Sequence, residues 1–427
     1  MVNAQKVPSL RWWRIVGVCF LLYSIAFMDR INVGFGFAGM QKELGFTATF
    51  SGLVGSIFFV GYFLLQMPGG MFAQKFGARK FVLIASLVWG VLAIWTGFVH
   101  NATELLIVRF LLGVAEGGVY PALMVLITRW FPPSERGRAI SYLIMCVPFG
   151  SMVMSPISGY IVTTYNWHVL FLVEGMFPFI WAIFWWLLVS DSPEEAKWLS
   201  NEERTYIQQG LAKENKQVVK HVVSFKQALT NKNVLLLVLI YFLIQIGQYG
   251  IGLWLPTVVK SLSGGSFTMV GFISAIPWAA GIVGLYINGR HSDKTGERKK
   301  HVAVALIVGG IFLLISALLG KGNPVSAIVA LTLAVGFFQS YNGIIWAIPS
   351  EVVDPKILGP IAGLINGVGT LGGGFVGPLG VGYLITKTNS PLAGEVFLVI
   401  VLVLAGIIIS NLHYEATPAQ GAGISAK

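Results

Sequence analysis

Long apolar runs separated by short polar breaks dominate this chain of 427 residues. Stretches such as 234–246 and 396–409 are apolar on every face. A soluble helix would keep a polar stripe and a barrel strand would alternate with period two, so neither pattern fits. A continuous apolar run of about 20 residues matches a hydrocarbon core ~30 Å thick. On that basis the sequence predicts twelve helices, at 14–38, 50–73, 80–99, 103–130, 138–163, 168–189, 232–259, 268–289, 300–319, 325–350, 360–386 and 393–413. The fold class expected is therefore an all-α integral membrane protein with twelve transmembrane helices in two six-helix bundles. The first bundle spans 1–189 and the second 232–427, with a polar cytoplasmic linker over 190–231 that predicts one or two surface helices.

Composition agrees with this reading: 55% of residues are hydrophobic, 11% are charged, and the mean hydropathy is +0.75. The formal net charge of +11 would suit nucleic acid if the charges were clustered. They are not: 23 of the 29 Lys and Arg fall in the termini and alternate loops, and only Lys42, Lys260, Lys321 and Lys387 fall in the others. This bias predicts both termini in the cytoplasm of a bacterial inner (plasma) membrane and no nucleic-acid partner. Residues 1–14 are too short and polar for a signal peptide, so helix 1 is expected to stay in the mature protein. Cys19 and Cys146 lie in apolar stretches and imply neither a disulfide nor a metal site. The runs Gly69-Gly70, Gly117-Gly118 and Gly372-Gly373-Gly374 lack the Lys-Ser/Thr of a phosphate loop and read as helix-packing positions. No cofactor, metal or enzymatic activity is expected, and ATP-driven pumping is excluded on the same ground.

The two halves repeat each other. Gly70-x-x-x-Gln74-Lys75-x-Gly77-Ala78-Arg79-Lys80 after helix 2 returns 219 residues later as Gly289-x-x-x-Asp293-Lys294-x-Gly296-Glu297-Arg298-Lys299. Ser155-Pro156-Ile157-Ser158-Gly159-Tyr160 in helix 5 is echoed by Gly377-Pro378-Leu379-Gly380-Val381-Gly382-Tyr383 in helix 11, at an offset of 222. A duplicated chain around a polar linker is the design of transporters that rock one bundle against the other. The loop motif resembles that of the major facilitator superfamily over nearly the whole chain. Met28-Asp29-Arg30-Ile31-Asn32, the run Arg109 to Gly117 with Pro121, and Trp130-Phe131-Pro132 to Glu135-Arg136-Gly137-Arg138-Ala139 resemble its anion:cation symporter family. That family includes bacterial sugar-acid, tartrate and aromatic-acid importers. Gln74 stands where the family usually has Asp, which implies a weaker charged lock on that side.

Four charges fall inside the membrane. Asp29 and Arg30 are about 15 residues into helix 1, roughly 22–24 Å from its start, and Arg109 and Glu116 lie two turns apart on one face of helix 4. Each costs about 2.5 kcal/mol or more at the bilayer centre, so the set is expected to face a cavity or one another. Arg30 is the expected anion ligand, because a guanidinium grips a carboxylate through two hydrogen bonds and stays charged. Asp29 and Glu116 are the expected proton carriers, released to protonate when an arginine moves onto substrate. The resemblance implies the same roles for Asp29 and Arg30 of the helix 1 motif and for Glu116 of the helix 4 motif. Arg109 is either part of the coupling set or a fixed partner of Glu116. Glu174 and Glu351 are expected near interfaces with structural roles, and none of the six His lies at mid-span.

In the second half, neutral polar residues share helical faces: Gln245, Gln248 and Tyr249 in helix 7, Gln339, Asn342 and Trp346 in helix 10, and Asn366 with Thr370 in helix 11. Three sets at one depth predict a shared cavity for the hydroxylated tail of an organic acid, with Tyr62 of helix 2 adding a contact. The function expected is proton-coupled import of a small organic anion by a monomer, with sugar acids leading. Alternatives are an aromatic or dicarboxylic acid importer, a proton-antiport exporter of drugs or metabolites, and a sensor built on a transporter fold.

Overall fold

The computed structural model describes residues 10–217, 231–352 and 358–412. Residues 218–230 of the predicted linker, the side chain of Glu351 and the tail from Glu415 to Lys427 lie outside that description. Among the described residues, eleven helices are long and apolar enough to cross a membrane: Trp12–Leu44, Ala48–Phe76, Ala78–Thr96, Ala102–Trp130, Pro133–Thr164 and Trp167–Leu188 in the first half, and Lys232–Ser263, Phe267–Thr295, Lys299–Gly322, Ile361–Thr388 and Pro391–Ser410 in the second. These are helices 1–9, 11 and 12. Polar side chains fix where they begin. Thr47, Asn101, Asn166, Asn231 and Ser266 each accept a hydrogen bond from a first-turn amide. Helices 1, 7 and 8 stop at Gly45, Gly264 and Gly296, all left-handed.

Helix 10 corrects the sequence reading. It was expected to run unbroken over 325–350, but it covers Pro324–Gln339 and then gives way to three-residue turns before a short helix at Ile348–Val352. The residues at the break are Ser340, Tyr341, Asn342 and Gly343. Ser340 Oγ bonds back to Phe337 O at 2.6 Å and competes with the helical ladder. Asn288 of helix 8 donates to the freed Ser340 carbonyl at 3.2 Å, so the break is satisfied rather than frayed. Helix 1 opens with a π-helical turn at Trp12–Gly17, and helix 5 is interrupted at Met145. Helix 1 also continues to Leu44, past the expected end at 38.

The two six-helix bundles meet through helices 2 and 11 and through helices 5 and 8. At Gly159 an added Cβ would stand 3.0 Å from Gly271 Cα, so the two backbones touch. Gly52 packs on Pro378 and Leu379 in the symmetric place. The Pro-containing repeat thus supplies the two close crossings between the bundles. Cross-bundle bonds flank them: Thr268 N to Thr163 Oγ1 at 2.8 Å, Thr49 N to Thr386 Oγ1 at 2.8 Å, and Ser56 Oγ to Phe375 O at 2.7 Å. All these contacts lie toward one membrane face. On the other, where helix 1 begins, the bundles diverge; this is called the linker face below.

A helix at Asn201–Gln217 follows the first bundle and is pinned beneath it. Arg11, 3% exposed, reaches Glu135 at 2.7 Å and Glu203 at 2.8 Å. Trp198 stacks on Trp130, with ring centroids 5.2 Å apart.

This packing can be tested at three points. Gly159→Val should push helices 5 and 8 apart at a cost of about 1–3 kcal/mol, and should speed alkylation of a cysteine placed at Thr49 without unfolding the protein. An unchanged alkylation rate would show that the crossing tolerates a side chain. Arg11→Ala should cost about 3 kcal/mol and lower both the melting temperature and the Trp198 stacking signal. Burial lifts the Glu203 carboxyl above the usual glutamate range, with Arg11 pulling the other way. The docked helix therefore holds a proton more tightly than the free one. Docking should be strongest below the ordinary glutamate pKa, weaken as pH rises toward the raised value, and then level off. Fluorescence quenching of Trp198 against pH reads that trend.

Candidate functional site

Between the bundles lies a cavity of about 590 Å³, open toward the linker face. Helices 1, 2 and 4 bring Tyr23, Phe27, Tyr62, Gln66 and Tyr120 to one wall. The opposite wall carries Gln245, Gln248 and Tyr249 of helix 7, Asn342 and Trp346 of the broken segment, and Asn366 and Thr370 of helix 11. Eight of the ten residues expected to bind substrate therefore line one space. Their spacing on helices 7 and 11 is what aims them together, since residues three and four apart share a face. Tyr341 Oη donates to Gln245 Oε1 at 3.4 Å, and Thr370 Oγ1 to Asn366 Oδ1 at 3.3 Å.

Gln339 does not join them. It is fully buried one layer behind, packed against Gly281, and its Oε1 accepts from Asn342 Nδ2 at 3.0 Å. The helical-face argument failed because the helix ends at Gln339, so Asn342 and Trp346 reach the cavity through turns. Four tyrosines were missed: Tyr23, Tyr120, Tyr241 and Tyr341. Tyr23 stacks on Tyr120 with centroids 5.3 Å apart and places its hydroxyl 3.3 Å from that of Tyr62. The available signal was Tyr120 one turn after Glu116 and Tyr23 one turn and a half before Asp29.

Arg30 sits at the floor, in a smaller recess it shares with Phe27, Phe59, Gln248 and Tyr249. Its Nε donates to Glu116 Oε2 at 3.1 Å, with side chains only 2% and 0% exposed. The guanidinium lies 4.6 Å from the Tyr62 ring, 4.7 Å from Phe27, 5.4 Å from Tyr23 and 5.6 Å from Phe58. Such a box of π-faces holds a cation without consuming its hydrogen bonds. Arg30 Nη2, Glu116 Oε1 and Gln248 Oε1 are buried there without a partner. A donor and two acceptors left open around one recess are a binding surface for a group that both accepts and donates.

Asp29 and Arg30 part company. Neighbours on a helix point about 100° apart, and the Asp29 carboxylate turns outward to accept from Trp89 Nε1 of helix 3. Arg109 Nη1 donates to the Asp29 carbonyl at 3.4 Å, and its guanidinium lies 5.2 Å from the Phe58 ring. Among the described residues Arg109 has no carboxylate within ion-pair distance. Glu174 was expected near an interface. It is 1% exposed, with Ser158 Oγ donating to Oε1 at 3.3 Å and Oε2 unpartnered.

Residues 19–378 match the model of the Major Facilitator Superfamily. The chain belongs to that superfamily. It is 33% identical over 416 residues to a quinolone resistance transporter of Acinetobacter baumannii, covering 96% of this chain and 95% of the relative. It is 32% identical over 418 residues to a putative tartrate transporter of Agrobacterium vitis, again covering 96% and 95%. A bacterial homolog of the human lysosomal transporter Spinster, in an inward-facing and unoccupied conformation, superposes with a TM-score of 0.74 at 16% identity over 94% of this chain and 97% of that one. The protein is thus a secondary transporter of the anion:cation symporter-like group, and the cavity between its bundles is its candidate substrate site.

Asn342→Ala should shift the relative uptake of different acids several-fold, whereas Gln339→Ala should mainly lower the melting temperature, because only Asn342 reaches the cavity. A panel of competing acids in proteoliposomes checks the pair. Equal specificity shifts in both would put Gln339 back at the substrate.

Proposed function

We propose that this transporter imports a small organic anion together with protons, with sugar acids as the leading substrate class. The observation that carries the reading is the half-used Arg30, which gives Nε to Glu116 and leaves Nη2 open in a recess with Gln248. A substrate carboxylate takes a guanidinium through two parallel bonds, and the second of these draws Arg30 away from Glu116. A carboxylate buried without its cation is costly, and a proton removes the charge. Substrate and proton then load together by competition for one arginine. Asp29 acts as a second carrier in this scheme, with Trp89 holding its charged form and Arg109 tying helix 4 to its backbone. Neutral amides, hydroxyls and aromatic edges on the second-half wall suit a hydroxylated tail. The relative named as a putative tartrate transporter supports a hydroxy-acid substrate. The loop charge bias supports a cytoplasmic linker face in a bacterial inner membrane.

The relative named for quinolone resistance favours a second reading, export by proton antiport. A gradient separates the two, since import raises internal substrate when the outside is acidic and antiport lowers it.

Arg30→Lys keeps the charge and loses the planar fork, and should weaken substrate binding at least tenfold in a folded protein, as losing one charge-assisted bond of about 1.5–3 kcal/mol implies. Glu116→Gln fixes a neutral side chain, and should keep substrate exchange while abolishing accumulation driven by a pH gradient. Binding titrations and paired exchange and uptake assays on purified variants measure both. Accumulation at the parental level in Glu116→Gln would remove the residue from coupling.

A further inference from the structure

Helices 5 and 8 touch backbone to backbone at Gly159 and Gly271 and draw apart toward the linker face. At Gly281 the nearest atom of helix 5 to an added Cβ is Pro148 Cβ, at 3.9 Å. Beyond this point a groove of about 1160 Å³ opens between the bundles. Val16, Phe20 and Phe149 wall it from the first half and Ile282 from the second. It shares no lining residue with the substrate cavity.

Three features indicate what belongs there. The first is that both helices of the first-half wall are irregular at the groove: helix 1 is π-helical over Trp12–Gly17 and helix 5 breaks at Met145. Single π-turns recur at functional sites, because they give up regular bonding to re-aim side chains. The second is charge. Arg138 stands at the mouth, exposed, with its guanidinium 5.6 Å from the Trp12 ring and no carboxylate in ion-pair range among the described residues. The third is depth. From Trp12 to Phe20 the wall descends about 12 Å at ~1.5 Å per residue, and Trp13 on the same turn is 79% exposed. An apolar trench with an exposed arginine among its lining residues is complementary to a lipid with a negative head.

We propose that an anionic phospholipid from the leaflet on the linker face occupies this groove. One acyl chain lies against Val16, Phe20, Phe149 and Ile282, and the phosphate rests on Arg138. Because the walls come from both bundles, the groove closes when helices 5 and 8 come together on this face. The bound lipid is then a wedge that favours the conformation described here, and membrane composition sets the balance between the two access states.

The test is native mass spectrometry of the full-length transporter from mixed micelles holding equal phosphatidylglycerol and phosphatidylcholine. Phosphatidylglycerol should be retained over phosphatidylcholine about fivefold, the scale of one basic residue at an anionic surface. Arg138→Gln should abolish that preference, and Ile282→Trp, which fills the groove, should release both lipids with Arg138 in place. No preference in the parent protein, or the same preference in Arg138→Gln, would overturn the proposal. Displacement of the lipid by glycerol 3-phosphate alone would assign Arg138 to a soluble phosphate and would overturn it as well.

Discussion

The Arg30–Glu116 pair is the constraint around which the first bundle is arranged. Neither side chain meets water, and their single 3.1 Å bond leaves donors and acceptors open on both. Buried ion pairs contribute little to stability and are strongly destabilising when half is removed. A pair of this kind in the middle of a membrane protein is better suited to exchange than to structure. Tyr23, Phe27, Phe58 and Tyr62 make it tolerable by offering ring faces to the cation, and those four rings set the spacing of helices 1 and 2 around it.

That spacing leads to the cavity. Helix 7 faces Arg30 across the recess with Gln248 and Tyr249, and the neutral wall extends through the broken end of helix 10. The break lets Asn342 and Trp346 turn into the space while Ser340 stays fixed by Asn288. Charge lies on one bundle and neutral hydrogen-bonding groups on the other, which under the proposed function would divide the holding of an anion from the selection of its tail. A substrate that touches both bundles is sensitive to how they rock, which is what ties binding to alternating access.

The glycine crossings and the groove are two ends of the same motion. Where Gly159 meets Gly271 the bundles have no room to slide, and where they diverge the membrane has access to apolar surface that a closed transporter would cover. The linker helix adds a hold on this face through Arg11, which ties Glu203 to Glu135 in the first turn of helix 5.

Much of this was legible in the residues alone. Apolar runs of bilayer length decide the number of spans, because unsatisfied backbone has no other way to cross hydrocarbon. The charges at 29, 30, 109 and 116 identify themselves by their cost, and helical spacing groups the polar residues of helices 7 and 11 on one wall. Pairing was not legible. Arg30 turned to Glu116 and Asp29 to Trp89, because the direction of a side chain depends on which helix lies beside it, and adjacent residues have different neighbours. Gln339 was misplaced for the related reason that a helix can stop where a distant Asn288 takes up the freed carbonyl. Sequence carries the period of a helix and the price of burying a charge, and only the packed structure determines which partner meets each charge and where the period ends.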